Sequence, residues 1–266
     1  MRLSGKVAFI TGAAQSQGRS HAVRLAEEGA DIIAVDICRQ LDIVKYPMGT
    51  EEGLAETVRL VEKHGRRIHA AVADVRDAAE LAAVLDAGVA ELGGLDIVAA
   101  NASICTTQPS EDLTPEIWQT TLDINLTGVW NTCAAAIPHL LASGGGSIVI
   151  TGSTASLKGL PFFLPYVAAK HAVVGIARSL ALEFADRGIR VNTIHPTGVD
   201  TPQGHSPVLP TLLEKRPDLG PLFMNTLPVE RVQSIDISNA LVYLASDEAR
   251  YVTGANFPVD AGNTIR

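Results

Sequence analysis

The sequence predicts one α/β domain, a doubly wound parallel sheet of seven strands with helices on both faces. Short apolar runs alternate with longer segments of helical period along the chain. The runs are continuous in Val, Ile, Leu and Ala, as strands buried on both faces require. Aromatic residues make up only 5% of the chain, which suits such a sheet better than an aromatic-rich sandwich. The rhythm persists to the C-terminus, so residues 1–266 read as a single domain.

The strand candidates, in order, are VAFIT (Val7–Thr11), DIIAVD (Asp31–Asp36), RIHAAVADV (Arg67–Val75), LDIVAAN (Leu95–Asn101), GSIVIT (Gly146–Thr151), IRVNTIHP (Ile189–Pro196) and GANFPVD (Gly254–Asp260). Helical spacing between them predicts helices over Arg19–Glu28, Thr50–His64, Ala78–Leu92, Pro115–Leu141, Pro165–Arg187 and Ile235–Ala245. Asp77 is placed to cap the third, and the basic HGRR suits the negative end of the second helix dipole. Two connections exceed the ~2–6 residues usual between strand and helix in such units. They are Ile37–Thr50 and the proline-rich Gly198–Glu230, and both follow the carboxyl end of a strand, where these sheets bind ligands. Apolar Leu, Phe and Met alternate with Gly and Pro over 198–230, which predicts a substrate lid. The insertion 37–50 reads equally as a lid or a contact surface.

Composition narrows the function. A formal net charge of −8 without a basic stripe argues against nucleic acid as a partner. Cys38, Cys105 and Cys133 are scattered, with neither a CxxC nor a metal-ligand spacing, as expected of thiols in a reducing compartment. The first strand begins without a preceding secretory h-region, and no apolar run approaches the ~18 residues of a membrane span. The expectation is a cytoplasmic protein with no membrane partner. Among the histidines, His64 and His69 flank a turn and His195 precedes Pro196. His195 reads as a packing or backbone-bonding residue, so no metal site is expected. Cys105 reads as pocket lining rather than a nucleophile.

TGAAQSQG joins the first strand to the first helix. Gly12 follows the strand directly and Gly18 opens the helix, the context a dinucleotide loop requires. Ser16 stands where a middle glycine is usual. Asp36 ends the second strand, where a carboxylate accepts from an adenosine ribose and repels a 2′-phosphate, so NAD is favoured over NADP. Asp74 could meet the adenine amino group, and Asn101 ends the fourth strand at the same edge.

The sharpest chemical signal is YVAAK. Tyr166 and Lys170 lie one helical turn apart on one face, and an adjacent ammonium is expected to lower a phenol pKa from near ~10. Such a pair takes a proton from a hydroxyl or returns one to a carbonyl. The strand SIVIT runs into GSTAS and places Ser153 at a carboxyl edge, within reach of the same oxygen. Asn125 lies inside a long apolar helix. It is either a structural network residue or the anchor of a proton-relay water.

In order along the chain, TGAAQSQG, ADV, ANAS, Asn125, Ser153, YVAAK, RVNTIHPTGVDTP and YVTGANFPVDAG resemble the short-chain dehydrogenase/reductase family over essentially the whole length. The resemblance implies a Rossmann fold and a catalytic set of Ser153, Tyr166 and Lys170 with Asn125. Tyr166 would be the acid/base and Ser153 would orient the substrate oxygen. Lys170 would lower the phenol pKa and hold the nicotinamide ribose, and Asn125 would support a water leading to Lys170. It further implies NAD contacts from Gly12, Ser16, Gln17, Gly18, Asp36, Asp74, Val75, Asn101, Tyr166, Lys170, Pro196, Gly198, Val199 and Thr201. Assembly as a homotetramer through the long helices is also implied.

A narrower likeness is carried by TGAAQSQGRSHAVRLAEEGADIIAVDICRQ, the following YPM, GGLDIVAANA and SDEARYVTGANFPVDAG. These look like the mycofactocin-coupled, carveol-dehydrogenase-like branch. That branch implies alcohol substrates, terpenoid ones included, a tightly held nicotinamide, and mycofactocin as redox partner. It also moves the reading of 37–50 towards a cofactor cover. Ser16 and Ser103 stand where the wider family usually has glycine, and Thr197 in HPTG where it usually has Pro-Gly.

The expected reaction is reversible hydride transfer between a small to medium apolar secondary alcohol, or its ketone, and NAD. Lys215 and Arg216 in the lid either serve an acidic substrate or face solvent. Rival readings are a nucleotide-dependent methyltransferase, which needs no Tyr-x-x-x-Lys, and a catalytically silent NAD-binding protein.

Overall fold

The computed structural model describes all residues, 1–266. Seven parallel strands form one sheet in the order β3-β2-β1-β4-β5-β6-β7. They are β1 (Val7–Thr11), β2 (Asp31–Asp36), β3 (Ile68–Val72), β4 (Ile97–Ala100), β5 (Gly146–Thr151), β6 (Ile189–Pro196) and β7 (Asn256–Val259). Chain order reverses between β1 and β4. At such a point the loops diverge and leave a crevice at the carboxyl edge.

The chain has eight helices: α1 (Ser16–Glu27), α2 (Glu51–Glu62), α3 (Ala78–Leu92), α4 (Pro115–Leu122), α5 (Gly128–Ala142), α6 (Leu164–Glu183), α7 (Val208–Lys215) and α8 (Ser234–Ala245). Side chains of a strand alternate between faces, and the core divides accordingly. Val7, Phe9, Ile33, Val35, Ile148 and Ile150 pack with α3, α5 and α6. Ala8, Ile10, Ile32, Ala34 and Val149 pack with α1 and α8. Phe9 is fully buried, and truncating it to Ala would cost about 3–5 kcal/mol. No helix is long and apolar enough to cross a membrane.

Local signals set the helix starts. Thr50 caps α2 by accepting the Gly53 N–H, Asp77 caps α3 by accepting from Ala79 and Glu80, and Thr114 caps α4 with Pro115 at its first turn. The predicted strands over 67–75, 95–101 and 254–260 are shorter in the structure, at both ends: Ile68–Val72, Ile97–Ala100 and Asn256–Val259.

The predicted helix over Pro115–Leu141 is corrected. A π turn at Asp123–Thr127 separates α4 from α5, and Asn125 lies in it. Such a turn inserts one residue and rotates the facing of the next helix. It lets α5 press on the loop after β3, where a Cβ on Gly128 would come within 2.5 Å of Val75 Cγ2. Asn131 Nδ2 fastens the same loop by donating to Val75 O at 2.9 Å.

The two long connections differ in build. Insertion 37–50 has no helix or strand. Its hub is Gln40, whose amide N donates to Val44 O at 3.0 Å and whose amide O accepts the Met48 N–H at 3.1 Å. Segment 198–230 contains α7 and a 3-10 turn at Pro217–Phe223, and its base is pinned where Val199 pairs with Val232.

Candidate active site

At the carboxyl edge, a long cleft runs from the α1 loop to β5 and β6. Its wall includes Gly12, Ser16, Gln17, Gly18, Asp36, Asp74, Val75, Asn101, Tyr166, Lys170, Pro196, Val199 and Thr201. Gly198, expected with them, instead lines a second chamber under the lid. Beside it, the Thr197 hydroxyl donates to Asn225 Oδ1 at 2.7 Å.

The loop geometry explains its glycines. A Cβ on Gly18 would sit 1.9 Å from Gly12 O, so no other residue fits there. Gly12 has φ +73°, and Ser16 adopts φ +52°, the left-handed region that glycine favours. The serine therefore keeps the backbone shape of the missing glycine, at a cost of about 1–2 kcal/mol. The N-terminus of α1 has no side-chain cap and no acid in its first turn. Its N–H groups and dipole suit a phosphate.

Asp36 is buried and accepts the Ala14 N–H at 2.9 Å and the Cys38 N–H at 3.0 Å. A carboxylate has about four acceptor positions, so one serves the loop, one serves the start of the insertion, and two are left over for a ligand. Asp74 lines the cleft with its carboxylate gripped by Arg76 at 2.6 Å. Burial opposes the charge, yet Arg76 holds Asp74 below the usual carboxylate range. Gln17 Oε1 and Ser103 Oγ are buried without a protein partner, and both residues line the cleft. A dinucleotide's hydroxyl and phosphate groups would satisfy them. The residues present fit the cofactor expected from the sequence.

The insertion lies over this cleft. Leu41, Tyr46, Met48 and Gly49 form part of its wall, and Gln15 Nε2 donates to Pro47 O at 3.2 Å. Gly49 is pressed so closely on the loop that a Cβ would come within 2.8 Å of Ala14 Cβ and Asp36 Oδ1.

Tyr46, Ser153, Tyr166, Thr197 and Gln203 line both the cleft and the chamber, and so mark the seam between them. Ser153 Oγ accepts the Ala155 N–H at 3.1 Å, leaving its own hydrogen to donate. Ser153 is held further by His195, whose Nδ1 lies 3.0 Å from Ser153 O, and burial lowers the pKa of His195. This is the packing and backbone role the sequence suggested for His195.

Lys170 is buried and donates to Thr151 O at 2.6 Å, with its ammonium 5.6 Å from the Tyr166 ring centre. Burial lowers Lys170 to about 8. The expected depression of the Tyr166 phenol by Lys170 does not appear in the chain by itself. Burial pushes Tyr166 above its ordinary value, and the nearby polar side chains of Ser153 and Gln203 are what pull it back.

Asn125 is fully buried and reaches neither cavity. Its Oδ1 accepts the Ile104 N–H at 2.8 Å and its Nδ2 donates to Ile104 O at 2.7 Å. Through these two bonds Asn125 braces the segment after β4.

The chamber is apolar on most sides, with Leu160, Phe163, Leu209, Leu213, Leu222 and Phe223 in its wall. Cys105 lines it, and burial pushes that thiol up to about 12, too high for a nucleophile near neutrality. Lys215 and Arg216 face solvent, and Arg216 pairs with Asp218 at 2.7 Å. Arg231 is the cation in the wall, paired to Glu230 at 2.6 Å. Sequence reasoning missed Tyr46, Gln203, Arg231 and Asn263, and only Tyr46 lay in a motif, the YPM of the insertion.

A family model described as enoyl-(acyl carrier protein) reductase matches residues 12–264. The chain is 48% identical to (−)-trans-carveol dehydrogenase of Rhodococcus erythropolis, over 100% of this chain and 99% of that one. The chain belongs to the short-chain dehydrogenase/reductase family. Among solved structures of this family, carveol dehydrogenase from Mycobacterium avium in complex with NAD aligns with a TM-score of 0.94 at 49% identity, covering 100% and 99% of the two chains. A short-chain dehydrogenase from Mycobacterium paratuberculosis bound to NAD aligns at 0.98 and 48% identity, covering 100% of both. The single parallel α/β sheet is thus the family's sheet, and the chain is an oxidoreductase of that family.

Proposed function

We propose that this oxidoreductase interconverts an apolar secondary alcohol and its ketone with NAD. One observation carries the reading. Tyr166 and Ser153 stand at the seam between a cleft fitted to a dinucleotide and a chamber fitted to an apolar molecule. The alcohol oxygen is held by the Ser153 hydroxyl while Tyr166 takes its proton, and in reverse Tyr166 returns that proton to the ketone oxygen. Bound NAD supplies the hydride acceptor, and the carbinol carbon gives up hydride as the proton leaves. Lys170 places its buried charge beside the phenol and holds the nicotinamide ribose. Asp36 holds the adenosine ribose, and the α1 loop holds the pyrophosphate.

The substrate is a small to medium terpenoid-like alcohol such as carveol. Support comes from the apolar chamber and from the relatives named as carveol dehydrogenases. The insertion keeps NAD from exchanging freely, and mycofactocin accepts its electrons. The cover of Leu41, Tyr46 and Met48 over the cleft supports the first statement, and likeness to the branch supports the second. The chain works in the cytoplasm, where its three free cysteines stay reduced. It assembles as a homotetramer through α5 and α6, which leave Trp130 and Leu182 exposed.

Mass spectrometry of the purified protein under native and denaturing conditions, followed by addition of carveol, tests this. The expected result is NAD(H) retained through buffer exchange and reduced by the alcohol. Cofactor-free protein that oxidises carveol with added NAD would mark an ordinary exchanging dehydrogenase. Absence of secondary-alcohol oxidation with NAD bound would overturn the reading.

A further inference from the structure

At the seam, the insertion meets the lid through one hydrogen bond, in which Tyr46 Oη donates to Gln203 Oε1 at 3.2 Å. The direction is fixed by a second bond. The Cys105 N–H donates to Tyr46 Oη at 2.9 Å, so the hydroxyl hydrogen of Tyr46 points away, towards Gln203. Burial raises the Tyr46 phenol, which keeps it a donor throughout the working pH range. An amide oxygen held in this way fixes the orientation of the amide nitrogen. The Gln203 amide N–H2 donates to no group of the chain, and Gln203 shares with Tyr166 the stretch of wall common to the cleft and the chamber.

We propose that Gln203 is a further residue of the reaction centre, donating an amide N–H to the Tyr166 oxygen, with Tyr46 as the positioning residue that aims it. This deepens the alcohol-dehydrogenase reading and rests on it. As alcohol is oxidised through a phenolate, a fixed neutral donor stabilises the charge without adding a second ionisable group. The other groups facing Tyr166 are Lys170 on its own helix, Ser153 beyond β5, Cys105 after β4 and Tyr46 itself. His195 acts behind Ser153. Gln203 thus joins Ser153 as a donor, and it comes from the lid rather than from the sheet.

The experiment is a pH profile of carveol oxidation for the wild type, Gln203→Met, Tyr46→Phe and the double variant, with the thermal midpoint of each. Gln203→Met keeps length and neutrality but removes the donor. It is expected to move the limb for the base upward by about one pH unit and to lower kcat at neutral pH about tenfold, with KM within about twofold. Tyr46→Phe should give a smaller change in the same direction. The double variant should match Gln203→Met alone, because Tyr46 acts through Gln203. An unmoved limb in a folded Gln203→Met, or additive effects of the two changes, would overturn the proposal. Should a variant not fold, Gln203→Asn takes its place, since it keeps the amide but withdraws it from Tyr166, and the same limb shift is read. A Tyr166→Phe enzyme that still turns over would instead refute the dehydrogenase reading itself.

Discussion

The cofactor cleft and the substrate chamber share a seam but are built by different means. The cleft is made largely of residues at strand ends and in the turns that leave them: the Gly12–Gly18 loop, Asp36 on β2, Asn101 after β4 and Thr151 on β5. The chamber is made of lid side chains held by side-chain bonds to distant segments. Lys158 Nζ donates to Leu222 O and Asn263 O, both at 2.9 Å, and Asn263 Nδ2 donates to Met224 O at 2.9 Å. Backbone geometry tied to a buried sheet leaves little freedom, whereas a wall of apolar lid residues can be exchanged without touching the sheet. On the proposed reading, the reaction class belongs to the cleft and seam, and substrate choice belongs to the lid.

The largest break in this contrast should come from Gly18→Ala. Its Cβ has no room beside Gly12 O, so the loop must move. NAD affinity is expected to fall more than ~100-fold, with several kcal/mol of stability lost, on the scale of overpacking against fixed backbone. Calorimetric titration and thermal unfolding check this, and NAD binding at wild-type strength would contradict the loop's role.

Lys170→Met sharpens the seam's side of the contrast through pH. Burial takes Lys170 from 10.5 to about 8 in the folded chain. Below pH 8 both folded and unfolded chains carry the charge, and the folded chain bears its burial cost. Between 8 and 10.5 the unfolded chain binds more protons, so stability rises with pH. Removing the ammonium should flatten that rise and stabilise the protein at pH 7 by about 1–3 kcal/mol while activity collapses. A denaturant midpoint series across pH measures it. An unchanged slope would show that burial of Lys170 does not destabilise the fold.

On the chamber side, Lys158→Met releases the lid from Leu222 and Asn263 without touching the cleft. It is expected to raise KM for the alcohol about five- to tenfold, the loss of two hydrogen bonds from a partly exposed ammonium, and to leave NAD affinity within about twofold. Steady-state kinetics with a separate NAD titration would show the split. A parallel loss of NAD affinity would erase the distinction between the two regions.

The smallest effect belongs to Ser16→Gly. Relief of the left-handed serine should add about 1 kcal/mol of stability, while loss of a hydroxyl contact to phosphate should weaken NAD about fivefold. Unchanged or tighter NAD binding would place the hydroxyl in solvent.

Much of the fold and site is readable from residue order. Each strand is an apolar run, and the loop glycines, Asp36, Ser153, Tyr166 and Lys170 occupy strand ends or helix turns whose local spacing dictates their place. The features that escape such reading depend on long-range packing. The π turn at Asp123–Thr127 accompanies the close approach of Gly128 to Val75, which no local pattern encodes. Tyr46 reaches the seam because Gln40 folds the insertion back on itself, and Gln203 is aimed by that tyrosine, 157 residues away in sequence. The direction of the phenol shift is hidden for a related reason. The spacing of Tyr166 and Lys170 is visible in the sequence, but burial of both is a property of the assembled sheet edge.

The central claim is that Tyr166 transfers the alcohol proton at the meeting of cleft and chamber. Single-turnover reduction of bound NAD by carveol, compared between the wild type and Tyr166→Phe, tests it most directly. The account predicts a fall of about 10³-fold in the rate of NADH formation, within the range for loss of a general base, with NAD still bound and the fold intact. A Tyr166→Phe protein that reduces NAD at near the wild-type rate would contradict it.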